Sequence, residues 1–244
     1  MSLSPEELAR YDRQISVIGV DGQVKLKNAK VLVVGVGGLG SITSLYLVAA
    51  GVGEVVLVDD GVVELSNLNR QIIYDTSNIG KPKVVIAMEK LKRLNPMVSI
   101  KPIKEKASEE LLDKLVGEVD LVIDALDNWE SRLVLNKVCV KHNKPLIHAG
   151  IQGFYGQLMV VVPRVTPCLQ CIVPRSTLTP SKIPVLPPTP GVLGSLQANE
   201  AIKIITGIGK PALNKLIVYD GLNMEFTVVN VYRNPNCPIC GDLK

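Results

Sequence analysis

Asp59 follows an apolar run, Glu54 to Val58, and shortly after it the chain reads Leu65-Ser66-Asn67-Leu68-Asn69-Arg70-Gln71, a polar segment carrying a cation. A carboxylate at such a strand end accepts hydrogen bonds from ribose hydroxyls, and a guanidinium close by neutralises phosphate oxygens. Upstream, Gly35-Val36-Gly37-Gly38-Leu39-Gly40 follows a strand and opens a helix, so backbone amides can approach a phosphate with no Cβ in the way. Taken alone, that glycine pattern is also met in a bare strand-to-helix turn. Arg70, Lys83 and Asp127 add groups for which hydride transfer has no use. Two cations suit the charge that builds on a leaving pyrophosphate, and a carboxylate suits magnesium. Each has a bland alternative, since surface cations are usually solvated and Asp127-Asn128 can cap the helix beginning at Trp129. Their joint placement at one crevice points to chemistry on ATP.

Four of the five cysteines form two pairs, Cys168-Leu169-Gln170-Cys171 and Cys237-Pro238-Ile239-Cys240. Two C-x-x-C turns in one chain read as a four-thiolate zinc site, closed to water and therefore structural. Such a site ties the C-terminal tail to the middle of the chain. Cys139 stands apart in an apolar helical stretch with Val134, Leu135, Val138 and Val140, where a thiol is packing rather than a nucleophile. The two histidines, His142 and His148, lack the spacing of a metal or triad site and receive no role, His148 lying nearer the crevice.

Elements that hold these residues follow from periodicity. Ser4-Pro5-Glu6-Glu7 is a capped helix start, and residues 1–29 read as a helical arm. Lys30–Val34 is a continuous apolar run of strand length, which fits a strand covered on both faces. Beyond it the chain predicts a helix over 39–50, a strand over 54–59, a helix over 84–94 and a strand over 98–103. A helix over 108–116, a strand over 119–125, a helix over 129–142 and a strand over 145–149 complete the alternation. This is the pattern of an α/β fold, a doubly wound, mostly parallel Rossmann-like sheet whose ligand crevice lies at the carboxyl ends of the strands. After Gly150 the runs 157–162, 215–219 and 225–232 predict an antiparallel extension. Between them, Pro174, Pro180, Pro184, Pro187, Pro188 and Pro190 are too dense for a helix, so 174–190 reads as an extended crossing loop that ends at a helix over 192–206. The organisation is one domain over 1–244, with a nucleotide-binding half at 30–150 and a carrier-binding and zinc half at 151–244.

Composition excludes several classes. The 244 residues are 47% hydrophobic, enough for a large core, and the net charge of +4 comes from 27 basic residues dispersed among 23 acidic ones. Nothing in that charge recommends nucleic acid as a partner. No apolar stretch reaches the roughly 20 residues of a membrane span, and the first residues lack a signal-peptide pattern, so the cytoplasm is the expected compartment.

Several motifs together resemble the MoeB/ThiF family, relatives of ubiquitin-activating enzymes: Arg10-Tyr11-Asp12-Arg13-Gln14, the glycine turn, Ser66 to Gln71, Gly80-Lys81-Pro82-Lys83, Asp127-Asn128, both cysteine pairs and Gly194-Ser195-Leu196-Gln197-Ala198. They run in order along nearly the whole chain, and length, cysteines and tail agree best with the MoeB type. The resemblance implies adenylation of a small ubiquitin-like sulfur-carrier protein ending in Gly-Gly, as in molybdopterin or thiamine synthesis, with a sulfur-donor protein acting later. It further implies that Gly38 and Asp59 hold the adenosine, that Asn67, Arg70, Gln71 and Lys83 hold the phosphates, and that Asp127 holds magnesium. Gly40, Ser66 and Asn128 complete the nucleotide-contacting set. Arg13 would reach the neighbouring subunit's site in a homodimer, like an arginine finger. Arg13, Arg70, Lys83 and Asp127 are thus the catalytic candidates.

Two departures qualify the likeness. Members that form a thioester carry a cysteine in the crossing loop, and residues 175–190 contain none. The family also has an acid two positions after the ribose aspartate, where this chain has Gly61, and Asp60 beside it is expected to point elsewhere. Two other readings compete with carrier adenylation: a relative that activates a tRNA base or a small carboxylate, and a nucleotide-binding interaction module without catalysis.

Overall fold

The structure is a computed structural model that describes residues 2–173 and 183–242. Its centre is one eight-stranded sheet in the order β3-β2-β1-β4-β5-β6-β7-β8. Strands β1 (Lys30–Val34), β2 (Glu54–Val58), β3 (Ser99–Ile103), β4 (Leu121–Asp124) and β5 (Leu146–Gln152) pair in parallel. Antiparallel pairing then carries the sheet through β6 (Tyr155–Val161), β7 (Lys215–Asp220) and β8 (Glu225–Asn230). The expected doubly wound sheet with an antiparallel C-terminal extension is therefore what the chain forms.

Alternation along the strands explains why the apolar runs are unbroken. In β1, Val31 and Val33 enter one core while Leu32 and Val34 enter the other; in β2, Val55 and Leu57 separate in the same way from Val56 and Val58. A strand with a hydrophobic core on each side has no face for polar residues. The first core is closed by α2 (Asp12–Asn28), α3 (Gly38–Ala49), α4 (Lys83–Leu94) and α8 (Pro188–Thr206). The second is closed by α5 (Glu109–Gly117) and α6 (Trp129–Lys141). Strand order reverses between β1 and β4, which opens a crevice at their carboxyl ends.

The helical arm consists of α1 (Pro5–Arg10) and α2, docked rather than loose. A capping box closes α1, with Ser4 and Glu7 satisfying each other's backbone, and Lys27 pairs with Glu7 at 2.7 Å. The Tyr11 hydroxyl accepts from Asn95 Nδ2 at 2.8 Å, and Gln14 donates to the Ala50 carbonyl at 2.8 Å. At Gly51 the backbone is left-handed (φ 80°) and a Cβ would lie 2.5 Å from the Tyr11 ring, so only glycine admits that contact.

One expectation fails in the proline-rich segment. Helix α8 begins at Pro188, four residues before the expected start at Val192, with Pro187 as its N-cap. The first turn of a helix has no acceptor for its N–H groups, so Pro188 and Pro190 forfeit no hydrogen bond there. Residues 183–186 are extended as expected and bridge to Gly153; the stretch 174–182 lies outside the described residues. Strand β5 also runs past Ala149 to Gln152, and β8 ends at Asn230 rather than Tyr232.

Candidate active site

The glycine turn between β1 and α3 is built so that backbone comes close to backbone. Gly35 takes φ 91°, where a Cβ would sit 2.6 Å from the Ala125 carbonyl oxygen, and a Cβ on Gly40 would be 1.9 Å from the Gly35 oxygen. Gly40 thus serves helix-to-strand packing and is not among the residues lining the crevice. The N–H groups of Gly38 and Leu39 have no acceptor within α3, and both residues line the crevice, which adds the positive end of a helix dipole there. Tyr74 supports the turn from behind, its buried hydroxyl donating to the Val36 carbonyl at 2.9 Å.

Asp59 is gripped by two backbone amides, Val36 N–H at 2.7 Å and Gly61 N–H at 2.8 Å, one on each carboxylate oxygen. Each oxygen accepts one backbone N–H and so keeps a further lone pair, and Asp59 lines the crevice, where such acceptors suit hydroxyl hydrogen bonds. A Cβ on Gly61 would stand 2.9 Å from Asp59 Oδ1 and 3.5 Å from Lys83 Nζ, so the carboxylate and the ammonium converge on this glycine. Asp60, expected to point elsewhere, lines the crevice instead.

The crevice has a volume of about 880 Å³, within the size range of small-molecule sites. Around it stand Gly38, Asp59, Ser66, Arg70, Gln71, Lys83, Asp127 and Asn128, drawn from five separate segments of the chain. Arg70 is pre-oriented by Nη1, which donates to the Ser66 carbonyl at 2.9 Å and to Asn69 Oδ1 at 3.0 Å. Gln71 is buried, and its Oε1 has no hydrogen-bond partner among the described residues, an orphaned acceptor that a bound ligand would satisfy. Asn128 caps α6 by accepting from Ser131 N–H at 2.8 Å and donates its amide to Asp127 Oδ1 at 3.2 Å, which orients the exposed Asp127 carboxylate and leaves its lone pairs enough room for a cation.

Besides Gly40, two candidates are not brought to the crevice. Asn67 is buried in a short 3-10 turn (Leu65–Asn67) and spends its side chain on Glu64 N–H at 3.1 Å. Arg13 is exposed at the start of α2, outside its own chain's crevice.

The structure also shows functional residues that sequence reasoning passed over. Arg132, in α6, is buried yet lines the crevice, and its Nη2 donates to the Ala149 carbonyl at 3.2 Å and to that of Leu126. Its guanidinium carbon lies 5.1 Å from the Trp129 ring centre. Asp124, at the end of β4, is buried, holds Leu126 N–H at 3.1 Å and meets His148 Nδ1 at 2.6 Å. Gln197 ties this corner to α8, donating to the carbonyls of Asp124 at 2.8 Å and Ile147 at 3.0 Å. A signal existed: Arg132 and Asn136 are spaced i, i+4 on the face of α6 that is otherwise apolar.

Outside the crevice, Cys168, Cys171, Cys237 and Cys240 place their sulfurs within 4.8 Å of one another, with Cys168–Cys237 at 3.7 Å and Cys171–Cys240 at 3.3 Å. Sulfurs bound tetrahedrally at about 2.3 Å from one zinc ion lie about 3.8 Å apart, so the four thiols fit that ion. Burial pushes the Cys168 thiol up and the Cys240 thiol up to about 11, a cost that a cation would remove by taking thiolates. Cys139 is buried, and its thiol is pushed far above the usual range by burial and the Asp124 charge, consistent with inert packing.

Comparison with known proteins agrees with this geometry. The ThiF family model matches residues 11–239. The sulfur carrier protein adenylyltransferase of Thermus thermophilus is 41% identical over 99% of this chain and 94% of its own. The molybdopterin-synthase adenylyltransferase of Escherichia coli is 41% identical over 98% of each chain. Among solved structures, E. coli MccB with MccA-N7isoASN superposes with a TM-score of 0.87 at 28% identity, covering 96% of this chain and 75% of that one. A family match over nearly the whole sequence, joined to two relatives of this identity, means that the chain belongs to the ThiF family.

Proposed function

We propose that the protein uses ATP to adenylate the C-terminal Gly-Gly carboxylate of a small ubiquitin-like sulfur-carrier protein. The observation that carries this reading is that Arg70, Lys83 and Asp127 share one crevice with Asp59 and the glycine turn. Asp59 takes the ribose, and Gly38, at the helix N-terminus beside it, packs against the adenosine. A carboxylate oxygen of the carrier attacks the α-phosphorus, the bond from that phosphorus to the bridging oxygen breaks, and pyrophosphate leaves. Arg70 and Lys83 offset the charge that grows on the departing oxygens, while Asp127 would hold magnesium, which neutralises the same oxygens. Ser66, Gln71 and Asn128 supply further polar contacts to the nucleotide.

Three associated readings go with it. Zinc occupies the four-cysteine cluster and has a structural role. The enzyme acts as a homodimer in which Arg13 completes the neighbouring copy's crevice. With no cysteine at 175–190, the acyl-adenylate passes to an external sulfur donor instead of a crossing-loop thioester. ATP–pyrophosphate exchange tests the main claim. Each Gly-Gly-ended carrier of the source cell is assayed singly with magnesium and labelled pyrophosphate. Label should enter ATP only when a cognate carrier is present; exchange without any carrier, or with none of them, refutes the reading.

A further inference from the structure

A second cavity of about 280 Å³ adjoins the crevice and shares Asp127, Arg132, Ile151 and Ile183 with it. A carboxylate that attacks an α-phosphate held near Asp127 must enter through space contiguous with that residue, and this cavity is such a space. Gln157 of β6 lines it. In the antiparallel register Gln157 faces Gly150, and the absence of a side chain there lets the amide fold across the strand. A Cβ on Gly150 would lie 3.3 Å from Gln157 Cγ and Nε2, and 3.2 Å from Arg132 Nη1.

The amide folds toward His148, whose Nε2 lies 3.2 Å from Gln157 Nε2. His148 is almost wholly buried, with Asp124 of β4, Gln157 of β6, and Arg132 and Trp129 of α6 around it. Its Nδ1 meets the Asp124 carboxylate at 2.6 Å, so Nδ1 carries the ring proton and Nε2 is a bare acceptor. Burial keeps the ring neutral by lowering its pKa, against the opposing pull of Asp124. An acceptor at Nε2 requires the NH2 end of Gln157, which turns Oε1 the other way, and Oε1 accepts no hydrogen bond among the described residues.

We propose that Gln157 is a specificity-determining residue, whose Oε1 accepts a hydrogen bond from a backbone N–H of the incoming peptide tail, and that His148 is a positioning residue that holds the amide in that orientation. The chemistry selected is a peptide with a donor amide near its carboxyl end. A Gly-Gly tail offers such donors without a side chain to collide with Arg132 or Gly150. This inference rests on the adenylation reading above.

The test is the same exchange assay, run with the source cell's Gly-Gly-ended carriers and read as half-saturating carrier and half-saturating ATP. Gln157→Leu should raise half-saturating carrier up to about tenfold, the worth of one hydrogen bond, and leave half-saturating ATP unchanged. His148→Phe should do the same, and the double variant should be no worse than either single change, because both act through one amide. Carriers carrying N-methylglycine in place of either terminal glycine lack one N–H each. One of them should bind the wild-type enzyme up to about tenfold more weakly yet bind Gln157→Leu no worse than the unmodified carrier does. Unchanged half-saturating carrier in Gln157→Leu, or equal loss with both N-methyl carriers in wild type and variant, overturns the inference while wild-type exchange stands. Absence of exchange in the wild-type protein overturns the adenylation reading and this inference with it.

Discussion

At the scale of single residues, the crevice works through groups whose positions are already settled before a ligand arrives. Both oxygens of Asp59 are fixed by backbone N–H groups and one Arg70 nitrogen by a carbonyl and an amide oxygen, so little side-chain entropy remains to be lost on binding. Removing a cation that such a crevice aims at the leaving group should then act on the transition state. Lys83→Ala is expected to lower the exchange rate roughly 10²- to 10³-fold, with nucleotide affinity measured by calorimetry falling far less. Loss of affinity and rate in equal measure would make Lys83 a ground-state contact. His148 gives a pH prediction with a definite sign. Its folded pKa lies below the ordinary 6.5, so under that pH the unfolded chain binds a proton that the folded chain refuses. Stability therefore falls as pH drops below 6.5, by up to about 1.4 kcal/mol per pH unit until the folded ring also protonates. Urea unfolding at pH 7 and pH 5.5 should show a smaller loss for His148→Phe than for the wild type; equal losses would place this proton elsewhere.

Among elements, the turn from β1 to α3 holds the described glycine whose Cβ would meet the closest backbone atom. A methyl group on Gly40 would lie 1.9 Å from the Gly35 carbonyl oxygen, and one on Gly194 would lie 2.9 Å from the Leu39 carbonyl as α8 crosses α3. Gly40→Ala should cost about 1–3 kcal/mol or more and displace the helix N-terminus that lines the crevice, so a thermal melt and ATP titration should weaken together. The sheet was legible in the sequence because strands covered on both faces leave unbroken apolar runs, as in Lys30–Val34 and Glu54–Val58. The start of α8 was not, because proline density argues for a loop unless one knows that Pro188 and Pro190 occupy a first helical turn. Crevice residues such as Asp59, Arg70, Lys83 and Asp127 were legible as charged punctuation at strand and helix ends. Arg132 and Asp124 were passed over, and His148 was placed near the crevice without a role, because the three meet only through the register of β4, β5 and α6.

For the molecule as a whole, the question is how far one chain completes its own site. The described part of the crossing segment, Ile183 to Val185, forms one wall of the crevice, and the cysteine cluster clamps the tail to α7 (Leu169–Ile172). If zinc fills that cluster, Cys237→Ser should abolish bound zinc by elemental analysis, and a loss of about 3 kcal/mol should lower Tm by roughly 6–12 °C. Arg13, proposed to act in a neighbouring copy, lies outside its own chain's crevice. Tyr11 and Gln14 on either side of it are anchored to Asn95 and Ala50, while Arg13 itself, with Val17 a turn further on, is exposed. An arm fixed at its base and bare at its cation is built to deliver charge outward. Under the dimer reading, Arg13→Ala and Arg70→Ala are each inactive alone, since every site lacks one cation. In a heterodimer of the two, the Arg13→Ala subunit keeps its own Arg70 and receives an intact arginine from its partner. The other site lacks both. Equal mixing with subunit exchange makes half the dimers mixed and half of their sites whole, so exchange activity should return to about a quarter of the wild-type level. No recovery after mixing, with heterodimers confirmed by differently tagged subunits, would mean that Arg13 serves its own chain or none.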